Sequence, residues 1–225
     1  MDSLRAGPGD SVHLTIWERC AVADQILIDE ISRANHWLAA WGKVMVSIPI
    51  ANEGRPHVSA AFQHLCLEHH LGILRLVEQE IFGSAFALFR PQFDAFVRGA
   101  WIRVCASDAW IGGFLKGENR PSDLRALIEA LEHAGAYDHG QLSDFRDRAY
   151  AVLCDFTHGG SVQIRSRMKV GAIEQGWEHK HVSGMLKSSS ALAYLGLLEM
   201  AHLSDCPDEL AGALSEAHQK IYVRG

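Results

Sequence analysis

In the stretch SAFALFRPQFDAFVRGAWIRVCAS (residues 84–107), charged residues recur every fourth position as Arg90, Asp94 and Arg98. On a helix this spacing stacks them one turn apart, with Trp101 on the same stripe and Gln92, Gly99 and Arg103 on the opposite one. Two arginines held by a carboxylate can present forked donors to an anion such as phosphate. The alternative is a buried ion cluster that fixes how the helix docks on its neighbours. An unpaired buried charge is costly, so in that case Asp94→Ala would strand the arginines at roughly 3–5 kcal/mol. Periodicity does not decide which stripe faces water. Pro91 adds that the Ala87 carbonyl loses its helical donor, so the helix is expected to kink or restart there. A backbone acceptor is then free beside Arg90.

The second candidate is His158, in the sequence FTHGG. It is expected at the C-terminal end of a helix, where the dipole favours a protonated imidazole and two glycines allow close approach. It could act as a general acid/base, or it could simply cap the last carbonyls. Packing of its helix against the Arg-Asp-Arg helix would bring the two candidates together.

The elements that must position these residues read as helices. Apolar residues recur at steps of three and four from Leu14 to Trp41 (Ile16, Cys20, Val22, Ile26, Leu27, Ile31, Ala34, Leu38), and Gly42 is a plausible end. A second helix fits Val58 to Phe82, with Ala61, Leu65, Leu67, Leu71, Leu74, Val77 and Ile81 on its buried side and Ser59 as its cap. Further helices are predicted over Ser84–Ser107 (interrupted at Pro91), Pro121–Ala134, Leu142–Thr157, His179–Leu203 and Pro207–Tyr222. Residues 43–57 and 159–176 read as loops, the former with one short extended segment. The expected fold is all-α. A flexible N-terminus at 1–13 precedes a single-domain antiparallel bundle of about seven helices over 14–225.

Composition excludes several classes. The chain has 225 residues, 48% apolar and 21% charged, enough to bury a substantial core and too apolar for disorder. No stretch is long and apolar enough for a membrane span, and the opening MDSLRAGPGD lacks a signal-peptide pattern, so a cytoplasmic protein is expected. The five cysteines are odd in number with no C-x-x-C pair, which points to reduced core thiols. Thirteen histidines hint at metal. However, the two Glu-x-x-His pairs, Glu178/His181 and Glu199/His202, are unremarkable for a chain this rich in both residues, and no metal or cofactor is expected. The net charge of −6 argues against broad nucleic-acid binding. Residues 85–105 nevertheless hold three Arg against one Asp, and residues 141–170 five basic side chains against three Asp. These segments, which carry both candidates, are locally positive.

The motifs Phe89-Arg90-Pro91-Gln92-Phe93-Asp94, Arg98-Gly99-Ala100-Trp101 and Phe156-Thr157-His158-Gly159-Gly160 resemble an uncharacterised bacterial family of all-helical proteins. In that family an Arg precedes an acidic residue by four positions on a central helix, and a later helix ends in His-Gly. The resemblance spans about residues 15–220. That group is similar to HEPN-like and abortive-infection helical bundles, several of which are RNases of toxin–antitoxin or phage-defence systems. It implies a HEPN-like bundle, with Arg90, Asp94, Arg98 and His158 as the positions to watch. One departure matters. Active HEPN nucleases carry Arg, four to six residues, then His, whereas here Arg148 precedes His158 by ten positions, so ribonuclease activity does not carry over. Two functions follow as expectations. One is a defence or stress protein that binds an anionic ligand or RNA at this cluster. The other is a non-catalytic homodimeric scaffold in which the same residues form a buried Arg-Asp-Arg network.

Overall fold

A computed structural model describes residues 13–14, 25–45 and 48–223. Ile16, Cys20 and Val22, and all of the 1–13 segment except the backbone of His13, lie outside these residues.

The described chain is mostly helical, with nine helices where about seven were expected: α1 Gln25–Met45, α2 Gly54–Glu78, α3 Phe82–Val104, α4 Asp108–Leu115, α5 Leu124–His133, α6 Gln141–His158, α7 Ser161–Arg165, α8 His179–Ala201 and α9 Pro207–Tyr222. The two additional ones are short. Ser107 caps α4 by accepting from the Trp110 amide at 3.2 Å. The Asp155 carboxylate caps α7, accepting from Val162 N at 2.7 Å and Gln163 N at 3.2 Å. Neither helix is long enough to show an apolar period. Three two-residue strands, β1 His13–Leu14, β2 Met168–Lys169 and β3 Ala172–Ile173, form a small sheet in the order β1-β3-β2.

Several boundaries move. α1 runs through Gly42, where an added Cβ would meet open space and nothing forces a stop. α5 starts at Leu124, because Asp123 rather than Pro121 supplies the cap, accepting from Ala126 N at 3.1 Å. α3 is continuous across Pro91.

α3 is the axis of the bundle and packs against α2, α5, α6 and α8. Phe89, Phe93, Phe96, Val97, Ala100 and Ile102 are buried on it, which accounts for its being apolar on nearly every side. The buried face of α2 is not the expected one. Leu67, Leu74 and Val77 are inside, but Ala61, Leu65 and Leu71 are exposed, and Ser59, Gln63, Cys66 and His70 are buried instead. Each makes one contact to α3 or α8, while Gln63 Oε1 and His70 Nε2 stay buried without a hydrogen bond. Ser59 Oγ donates to Gly99 O at 2.8 Å, Gln63 Nε2 to Phe96 O at 3.1 Å, and His70 Nδ1 lies 2.9 Å from Ser189 Oγ. Ser59 is therefore a core residue, not a helix cap. Gly99 is required here, because the Gln63 side chain fills the place a Cβ would take.

Candidate functional site

The stripe of α3 that carries Gln92, Gly99 and Arg103 is the enclosed one. Ser189 Oγ donates to Gln92 Oε1 at 2.6 Å, and Gln92 Nε2 donates to Ser189 O at 2.9 Å. Arg103 grips the buried Glu199 of α8 with two bonds, Nε to Oε2 at 2.5 Å and Nη2 to Oε1 at 2.9 Å, and Tyr137 Oη adds a third at 2.6 Å. Burial, with the Glu199 carboxylate alongside, pushes the Tyr137 hydroxyl far above its ordinary pKa and keeps it a donor. Glu199 belongs to one of the two Glu-x-x-His pairs. Its carboxylate is spent on this network, and among the described residues no three His, Cys, Asp or Glu side chains converge as metal ligands.

The opposite stripe lines an open cleft of about 320 Å³. Arg90, Asp94 and Arg98 of α3 form one wall with Pro91 and Ala95. Phe62 and Leu65 of α2 supply an apolar wall, and Thr157 and His158 close the end. All four candidates, Arg90, Asp94, Arg98 and His158, therefore meet at one place, in a space of the size that small ligands occupy.

Local chain chemistry explains how His158 arrives there. Pro91 leaves the Ala87 carbonyl without its helical donor, and the Thr157 hydroxyl lies 3.2 Å from that oxygen and 2.9 Å from Leu153 O. This contact pins the last turn of α6 onto α3 at the level of Arg90. Gly159 ends α6 in the left-handed conformation at φ 67°. Gly160 then packs so tightly against the Asp155 carboxylate that any side chain would strike it. The HGG sequence thus turns the chain and lets Asp155 cap α7, leaving His158 exposed at the cleft mouth.

Arg90 Nη1 lies 2.6 Å from His158 Nε2. Arginine only donates, so Nε2 accepts and the ring proton resides on Nδ1. Arg90 Nε donates to Tyr150 Oη at 3.2 Å, and its guanidinium sits 5.0 Å from the Tyr150 ring centre. Asp94 is a weak partner, with Oδ2 3.9 Å from Arg90 Nε and Oδ1 buried without a hydrogen bond. Burial raises the Asp94 carboxyl above its ordinary pKa, against the pull of Arg98, Arg90 and the Tyr150 hydroxyl. Arg98 has its Nε buried with no hydrogen bond, and its charge acts on Asp94. The expected Arg-Asp-Arg ladder is therefore neither tightly paired nor deeply enclosed.

Two contributors escape a reading of the sequence. Tyr150 lies two helical turns before His158 on the same face of α6, a spacing that could have flagged it. Thr157 was implied by the free Ala87 carbonyl, which needed some donor.

The fold and the cleft define a class: a helical bundle whose central helix carries a closed ion network on one side and an open, cation-lined cleft on the other. Over residues 63–222 the chain matches a family model described as a family of unknown function (DUF6988), and it belongs to that family. No curated protein and no solved structure matches it. No helix among the described residues is long and apolar enough to cross a membrane.

Proposed function

We propose that the cleft binds a phosphate-bearing ligand, with Arg98 and Arg90 as its anchors. The observation that carries this reading is Arg98, a guanidinium at the cleft wall whose buried Nε has no hydrogen bond. Desolvated guanidinium donors without partners are costly, and an oxyanion supplies the forked acceptors they match. Arg90 and Arg98 against one weakly paired carboxylate leave the cleft net positive, and Phe62 and Leu65 offer an apolar surface to the uncharged part of the ligand. The HEPN-like resemblance adds RNA as the ligand class and a cytoplasmic, bacterial defence role as the setting. His158 is then the residue to carry any cleavage. With Nε2 held by Arg90, binding is better supported than catalysis.

Binding of a short phosphodiester such as the dinucleotide UpU, measured on wild type and Arg98→Ala, tests the reading. A large loss of affinity in the variant is expected, and equal affinity overturns it. For catalysis, purified wild type and His158→Ala are compared on mixed RNA. Equal rates remove His158 from any reaction.

A second reading is the non-catalytic homodimeric scaffold. The Arg103–Glu199–Tyr137 network supports its scaffold part, since a bonded buried cluster of this kind fixes how helices of one chain dock without a ligand. The scaffold role then belongs to that network, and Arg90–Asp94–Arg98 need not serve it.

A further inference from the structure

Arg90 is held in the cleft by His158. Its Nη1 donates to Nε2 at 2.6 Å, so one of the anion's anchors is engaged by a neutral imidazole before any ligand arrives. An oxyanion that takes over this Arg90 N–H would leave the Nε2 lone pair facing the anion's own lone pairs. The two acceptors repel unless Nε2 gains a proton. Three features favour that gain: the incoming negative charge, the C-terminal end of α6 at which His158 sits, and its exposure to solvent, which supplies the proton.

We propose that anion binding in this cleft is coupled to uptake of one proton by His158. The proton passes from solvent to Nε2, the Arg90 Nη1–H bond transfers from Nε2 to a ligand oxygen, and the new Nε2–H donates to a second ligand oxygen. Nδ1 keeps its proton throughout. The proposal rests on the phosphate reading of the cleft and adds a regulation to it: the site binds tighter as pH falls.

The charged and titratable groups around His158 are few. From α3 come Arg90 in direct contact, with Asp94 and Arg98 along the same wall. From α6 itself come Tyr150 and Cys154, both electrostatically coupled to Arg90, and Asp155, which is engaged with the α7 amides. α2 contributes only Phe62 and Leu65 to the cleft. Asp94 is another group whose protonation could respond to a ligand. An arriving anion would also favour its neutral form, so the experiment must separate the two residues.

Calorimetry with UpU and with sulfate, neither of which titrates between pH 6 and 8, is run in buffers of different ionisation enthalpy. Wild type is expected to take up close to one proton per site, and its affinity to fall about tenfold per pH unit above neutrality. His158→Gln, which cannot be protonated, is expected to bind without proton uptake and without pH dependence, while Asp94→Asn keeps both. Binding by wild type without proton uptake, or uptake that survives in His158→Gln, overturns the coupling and leaves the phosphate reading standing. Absence of binding by wild type overturns both.

Discussion

The two sides of α3 use the same residue types to opposite ends. On one side Glu199 accepts three short bonds, two from Arg103 and one from Tyr137. On the other, Arg90 and Arg98 flank Asp94 with one 3.9 Å contact and two buried atoms left unbonded. The first arrangement is complete within the chain and belongs to stability. The second leaves polar atoms unbonded at an open cleft, and on the proposed reading a ligand completes it. A buried polar group costs free energy when it lacks a partner, so an incomplete cluster retained at a cleft points to a ligand.

Breaking the closed side should have the largest effect. Glu199→Ala leaves Arg103 half-buried without its carboxylate and Tyr137 without its acceptor. Urea unfolding is expected to show a loss of about 3–5 kcal/mol. A loss under 1 kcal/mol would mean that the network contributes nothing to the fold.

Next comes the polar seam that joins α2 to α8. Burial holds His70 down at about 4 from its ordinary 6.5. The folded value is depressed, so the unfolded chain protonates first as pH falls. Stability is expected to drop by about 3 kcal/mol between pH 6.5 and 4 from this residue alone. His70→Gln should flatten the slope measured between pH 7 and 5, and an unchanged slope would contradict the burial.

A smaller effect is expected where α6 is pinned to α3. Thr157→Val removes the hydroxyl from Ala87 O and should cost about 1–2 kcal/mol. It should also loosen His158 from Arg90, visible as a change in the His158 imidazole resonances by NMR. Resonances identical to wild type would show that the pin is idle.

The smallest change in stability belongs to the open side. Burial raises the folded pKa of Asp94, so its ionised form is disfavoured by folding. That cost is present above the folded pKa and disappears as pH falls below the unfolded one. Asp94→Asn is therefore expected to shift stability by under about 1 kcal/mol at neutral pH, unlike the 3–5 kcal/mol that a fully enclosed ladder would require. A loss above 3 kcal/mol would place Asp94 with Glu199, as a structural carboxylate.

The same comparison shows what could be read in advance. The spacing of Arg90, Asp94 and Arg98 gives a helical stripe from local geometry, the Pro91 rule gives a free carbonyl, and HGG gives a helix end. All three are facts about neighbours in sequence. Which stripe of α3 is buried is a fact about partners far along the chain: Gln92 meets Ser189, Arg103 meets Glu199, and Arg90 meets His158, 68 residues on. Ser59, Gln63 and His70 look like a solvent face until α3 and α8 supply their partners, so apolar spacing alone puts Leu65 and Leu71 on the wrong side of α2. The short α4 and α7 depend on single capping side chains, a signal too local to stand out among other Ser and Asp residues.

The proposed phosphate site turns on Arg98, whose buried Nε has no hydrogen bond. The most direct measurement is the affinity of UpU for wild type and for Arg98→Ala under conditions where both are folded to the same extent. Arg98→Ala is expected to be at least as stable as wild type and to lose most of its affinity. A variant that binds equally well, or that unfolds because Arg98 was holding the helices together, would contradict it.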